Sequence, residues 1–260
     1  MSYILRFSSL VLIFSLVVLW LSIQIGVSFR KRRRTPEENE REDFGIIMSA
    51  ILTLLGLIIG FSFSMAISRY DERKTLEEAE ANAIGTEYVR ADFLPAPYAA
   101  KVRSLLTDYL DQRLLYYTTR NDRELVQIEA ATAQLEAELW SAVQIPTAAQ
   151  PTPPLTSTAM GMNDVLNSKG YTQAAWSNRI PNAAWCLMAA IAIFCNLLIG
   201  YGGRSGGART SLLLVLPLVI AISFMLIADI DSPRGGVVRV HAQNLASLSR
   251  SLHARNHSQQ

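Results

Sequence analysis

Twenty-four consecutive residues, Phe44 to Ile67, carry no charge. At about 1.5 Å per residue, a run of that length crosses the ~30 Å hydrocarbon core of a bilayer as one helix. One of its faces is small or hydroxylic: Ser49, Thr53, Gly56, Gly60 and Ser64 follow one another at steps of four, three, four and four. All five therefore share one stripe of the helix. Gly56 and Gly60 have the GxxxG spacing. The stripe suits two roles: a face on which another backbone packs closely, or the wall of a narrow polar path.

Three further runs lack charge: Phe7–Phe29, Ile180–Tyr201 and Ser211–Ala228. Four such runs explain why the chain is 50% hydrophobic. The fold class expected is all-α: a four-span integral membrane helical protein with a helical extramembrane insertion between spans two and three. The spans fall near 8–28, 44–67, 181–201 and 211–228. The organisation that follows is a first helix pair with a basic connecting loop (1–67), the insertion (68–179), a second helix hairpin (180–231) and a polar C-terminal tail (232–260). The expected location is the cell (inner) membrane, multi-pass, with membrane lipid as the immediate partner.

Arg30, Lys31, Arg32, Arg33 and Arg34 form a basic block directly after the first span. Such a block in a short loop is a topology signal that holds the loop in the cytoplasm. The acidic run from Glu37 to Asp43 nearly cancels it, which argues against nucleic acid as a partner. The first apolar run is too long for a secretory h-region and has no small-residue cleavage site, so it reads as an uncleaved anchor with its N-terminus outside.

The insertion reads as helices. Leu76, Ala79, Ala83 and Thr86 keep helical spacing, with Glu77, Glu78 and Glu80 on the other side, until Pro95 ends the segment. Pro95-Ala96-Pro97 starts the next helix, whose apolar stripes are Tyr98, Val102, Leu105, Tyr109 and Leu106, Leu110, Leu114. Asn121 and Glu124 have the spacing of a capping pair, followed by Leu125, Ile128, Leu135 and Leu139 at core positions. Ile145 to Thr158 holds four prolines and reads as a linker. Asn163 to Asn178 reads as a helix interrupted by Gly170. The glycine-rich segment from Gly202 to Gly207 turns spans three and four into a hairpin, and Pro217 is placed to kink span four. The last ten residues read as unordered.

No catalytic constellation is present in the sequence. It holds no HExxH, phosphate loop, GxSxG or dinucleotide fingerprint, and its three histidines, His241, His253 and His257, all lie in the tail. The chain does not read as an enzyme, and no cofactor or metal is expected. Cys186 and Cys195 share the third span and read as packing residues. Two boundary clusters stand out. Arg69, Asp71, Glu72 and Arg73 close span two, and Asp229 and Asp231 close span four. Such groups line an ion entrance, pair with one another, or simply sit in interfacial water. Asn196 is an amide within span three, positioned to join helices by hydrogen bonding.

The stretch Gly60 to Arg73 (GFSFSMAISRYDER), with Glu77 to Gly85 (EEAEANAIG) and Phe93-Leu94-Pro95, resembles a family of bacterial membrane proteins called bestrophin-like. Asn178 to Pro181 (NRIP), Asp229 to Arg234 (DIDSPR) and Gly236 to Val240 (GVVRV) are similar to its later landmarks. Beyond that family lie the bestrophins, pentameric anion channels whose second span lines a pore. The resemblance implies a homo-oligomer that passes small anions, with Ser49, Thr53, Gly56, Gly60 and Ser64 at the pore or packing centre. It also implies that residues 68–179 face the cytoplasm, opposite to the orientation set by the basic block. The alternative is a non-conducting membrane scaffold or sensor whose helical insertion binds a partner.

Overall fold

Helix is the only regular structure among the residues that the computed structural model describes: 8–31, 38–202 and 210–258. Eight α-helices follow in order: α1 (Ser8–Lys31), α2 (Glu38–Arg90), α3 (Ala96–Thr118), α4 (Asp122–Ala149), α5 (Pro153–Ser177), α6 (Asn182–Gly202), α7 (Thr210–Asp231) and α8 (Gln243–Ser258). A 3₁₀ turn at Ala91–Phe93 follows α2. Among the described residues, four helical stretches are long and apolar enough to cross a membrane, and each overlaps one of the four uncharged runs of the sequence. Two compact bodies result: Met1–Tyr70 with Arg179–Arg239, and Asp71–Asn178 with Val240–Gln260.

The first body joins α1, α6, α7 and the apolar half of α2. Leu19, Leu55, Ala66, Trp185, Met188, Ala192, Cys195, Ile220, Phe224 and Ile227 are buried together, and the Trp185 and Phe224 rings meet edge to face, 6.2 Å between centroids. Helices α1 and α6 approach each other closely. A Cβ at Gly26 would overlap the Leu197 carbonyl oxygen, and one at Gly200 would overlap that of Ile23. With no aqueous driving force between helices in lipid, dispersion across such bare backbone contacts becomes a main source of cohesion. Cys195 is buried in this core, whereas Cys186 is exposed. Asn196 is buried too, but its amide donates to the Ala192 carbonyl of its own helix at 2.8 Å. The expected amide link to another helix is not made by that donor.

The second body packs the extramembrane end of α2 with α3, α4, α5 and α8. Val102, Leu106, Tyr109, Leu110, Leu139, Met162 and Val165 are fully buried, so the apolar stripes of α3 and α4 are core faces. Asn121 caps α4 by accepting from the Arg123 amide at 3.0 Å, and Glu124 accepts from the Asn121 side chain at 3.1 Å.

Several sequence expectations change here. The proline-rich stretch is not a linker. Pro146 lies within α4, and Pro153 and Pro154 open α5, where a missing amide hydrogen costs nothing. Gly170 does not interrupt α5. The tail forms α8 as far as Ser258. The inward face of α2 beyond the membrane is also not the expected one. Ala79 and Thr86 are exposed, while Arg73, Glu77, Glu80, Ala81, Ile84, Glu87, Tyr88 and Ala91 are buried.

Candidate functional site

Span two is the least covered of the four. Only 6% of its most apolar window is buried, against 28% for the first span, 33% for the third and 50% for the fourth. Leu55, Ser62 and Ala66 turn toward the core of the first body, with Met48, Leu52, Ile59 and Phe63 packed against it. Ser49, Thr53, Gly56, Gly60 and Ser64 are all exposed. A Cβ built on Gly56 or Gly60 would meet nothing within 4 Å. The chain thus brings the five stripe residues onto one open face, against which none of the described residues packs at the two glycines. Ser49 donates its hydroxyl to the Ile46 carbonyl at 2.9 Å, and Thr53 donates to that of Ser49 at 2.8 Å. Their hydrogens are engaged within the helix, so the face presents oxygen lone pairs and bare glycine backbone.

The boundary charges do not act as one group. In the first body, Asp231 accepts from the Ile180 amide at 3.1 Å, and Arg69 approaches it at 3.8 Å. Asp229 accepts from the Val237 and Val238 amides at 2.9 and 2.8 Å. Gly236 passes so near that a Cβ would meet Asp229. Both residues are 5% exposed, and each holds backbone amides where the chain leaves or enters a span. In the second body, Asp71 and Glu72 are exposed. Arg73 is 1% exposed and donates to the Ala175 and Asn178 carbonyls, 3.3 and 3.4 Å away at the end of α5, where a cation complements the helix dipole. Arg30 and Lys31 end α1; Arg32, Arg33 and Arg34 lie outside the described residues.

The second body contains a set of buried carboxylates, two of which, Glu77 and Glu80, lie opposite the apolar spacing that the sequence shows in this segment. Glu80 is fully buried and receives Arg113, the Tyr117 hydroxyl at 3.1 Å and the Thr172 hydroxyl at 3.1 Å. The Arg113 guanidinium also lies over the Tyr116 ring, 4.5 Å from its centroid. Burial opposes the Arg113 charge, but the Glu80 carboxylate and its hydrogen bond outweigh it, so the guanidinium pKa moves up. Burial also drives the Tyr109 and Tyr117 hydroxyls upward, so both stay neutral. Glu77, 1% exposed, accepts from the Leu245 amide at 2.9 Å and the Asn244 side chain at 2.7 Å, holding the first turn of α8. Glu87 is fully buried. The signal was in the spacing: Arg73, Glu77, Glu80, Ile84, Glu87 and Ala91 advance by four, three, four, three and four, a helical stripe with charged members. Among the described residues, no group of three or more His, Cys, Asp or Glu side chains could hold a metal ion.

A family model described as a Bestrophin-like domain matches residues 11–245. Among solved structures, the chain is similar to a point mutant of a bacterial bestrophin homologue from Klebsiella pneumoniae, with a TM-score of 0.64 and 16% identity over 94% of this chain and 98% of that one. A second crystal structure of the Klebsiella pneumoniae homologue has a TM-score of 0.66 and 13% identity over 92% and 97% of the two chains. A mutant described only as a membrane protein has a TM-score of 0.61 and 15% identity over 94% and 97%. No curated protein matches. The fold shared with these structures is the bestrophin fold.

Proposed function

From the premise that this chain belongs to the Bestrophin-like family, matched over residues 11–245, we propose that it assembles as a homo-oligomer in the inner membrane and conducts small anions along the second span. One observation carries the reading: the stripe from Ser49 to Ser64 is uncovered in the single chain, on the span with the least cover of its own. An apolar helix exposed to that degree meets either lipid or further copies of itself. The small, weakly polar stripe is a poor match for acyl chains alone and a good one for a narrow path shared between copies.

Purified protein reconstituted into liposomes tests this reading. Chloride flux above cation flux is expected, together with an oligomer in native mass measurements. Replacing both Gly56 and Gly60 with Leu adds bulk along the whole stripe and should abolish flux or assembly. Leu57→Val, on another face, should not. Flux and oligomer yield unchanged in the double variant would overturn the role given to the stripe.

A second reading, the non-conducting scaffold, draws on a groove in the second body. Asn82, Gly85, Val89, Phe93, Asn244 and Leu248 line it between the end of α2 and α8. Tight, silent vesicles from a well-folded oligomer would favour this reading.

A further inference from the structure

Glu87 sits where a charge is poorly accommodated. It lies on the face of α2 that packs against α5, twenty residues after the last apolar residue of span two in sequence. It is 0% exposed, and neither carboxyl oxygen has a hydrogen-bond partner among the described residues. Gly161 of α5 lies directly opposite, and a Cβ there would overlap Glu87 Oε2 and Arg90 Nη1. Fully buried Thr158, Met162 and Val165 surround that glycine on α5, and the Thr158 hydroxyl reaches the Arg90 carbonyl at 3.3 Å. The contact has been fitted to a carboxyl group, with a glycine making the room; the Arg90 guanidinium comes near, but neither carboxyl oxygen accepts a hydrogen bond.

We propose that Glu87 is a proton-operated latch: the neutral carboxylic acid keeps α2 and α5 closed on each other, and its ionisation loosens them. Burial pushes the Glu87 carboxyl up to about 8; Arg90 on its own helix pulls the other way, and Asp164 on α5 adds to the rise. Asp92 of the neighbouring 3₁₀ turn is paired with Arg103 of α3. When the contact opens, water reaches the carboxyl and it ionises near its ordinary value of 4.5. Between those two values the closed form holds a proton that the open form has lost, so the closed state weakens as pH rises through the window. Arg90 offsets only part of the cost of a buried carboxylate without a hydrogen bond; hydration relieves the rest, and hydration requires α5 to move.

The test uses the full-length protein in lipid nanodiscs. Hydrogen exchange is read on α5 and on residues 80–92, corrected for the intrinsic pH dependence of exchange. Between pH 6.5 and pH 9, linkage with the two values above gives a loss of protection of roughly thirtyfold. Glu87→Gln, which mimics the neutral acid, should remain closed and lose that pH dependence. An infrared titration of the unaltered protein supplies a second reading: a protonated-carboxyl band that disappears as pH rises through about 8. The proposal is overturned if the variant and the unaltered protein lose protection equally, or if no carboxylic acid titrates in that range.

Discussion

The buried pair of Glu80 and Arg113 offers the most demanding test of the second body. Replacing Arg113 with Met keeps much of the side-chain length and removes the charge. Glu80 would then remain fully buried with only two neutral donors, the hydroxyls of Tyr117 and Thr172. Removing one partner of a buried ion pair costs about 3–5 kcal/mol, because a charge remains without compensation. Glu80→Leu is the reciprocal change and leaves the guanidinium over the Tyr116 ring as its main support. The double variant removes both charges, so it should cost far less than the two singles added together. Near-global hydrogen exchange of α3 and α5 gives the readout. A loss of about 3 kcal/mol accelerates exchange roughly a hundredfold. Singles that leave exchange unchanged would show that the pair contributes nothing to stability. Additive singles would show that Glu80 and Arg113 do not interact as the geometry requires.

Three further outcomes are expected. Gly200→Val forces side-chain bulk against the Ile23 carbonyl and should cost about 1–3 kcal/mol by overpacking, seen as a lower melting temperature in detergent; an unchanged melting temperature counts against the close α1–α6 contact. Glu77→Ala removes the acceptor for Leu245 and Asn244 and should loosen α8 by about 1.5–3 kcal/mol, the range for hydrogen bonds to charged groups; limited proteolysis should then cut first within residues 243–255, and an unaltered digestion pattern argues against that anchor. A reporter fused after Thr35 should be active only in the cytoplasm, because Arg30 to Arg34 resist translocation; activity only outside gives the orientation implied by the bestrophins.

The four spans were legible because charge-free runs of that length leave a chain few alternatives, and the stripes of α3 and α4 because period 3.6 is hard to imitate. What was not legible depended on partners distant in sequence. Gly26 and Gly200 are single glycines without a motif, and only the meeting of α1 with α6 gives them a role, whereas the conspicuous GxxxG of Gly56 and Gly60 packs against nothing among the described residues. Glu77 and Glu80 lie in an acidic run, which ordinarily faces water; their burial requires Arg113 and the first turn of α8, which lie 33 and more than 160 residues away. Pro146, Pro153 and Pro154 were misleading for a different reason. Proline marks where a helix starts as often as where one stops, and sequence alone does not distinguish the two across a three-residue break.

The contact between Gly26 and Gly200 also bears on how the chain is made. Gly26 emerges from the ribosome 174 residues before Gly200. At about 5–20 residues per second, roughly 9–35 s pass between the two. Through that interval the first span is in the membrane without the helix that covers its glycine, beside a second span that keeps most of its own surface open. Maturation of the first body is therefore post-insertional, and during that interval quality-control proteases that survey unpartnered spans have their opportunity.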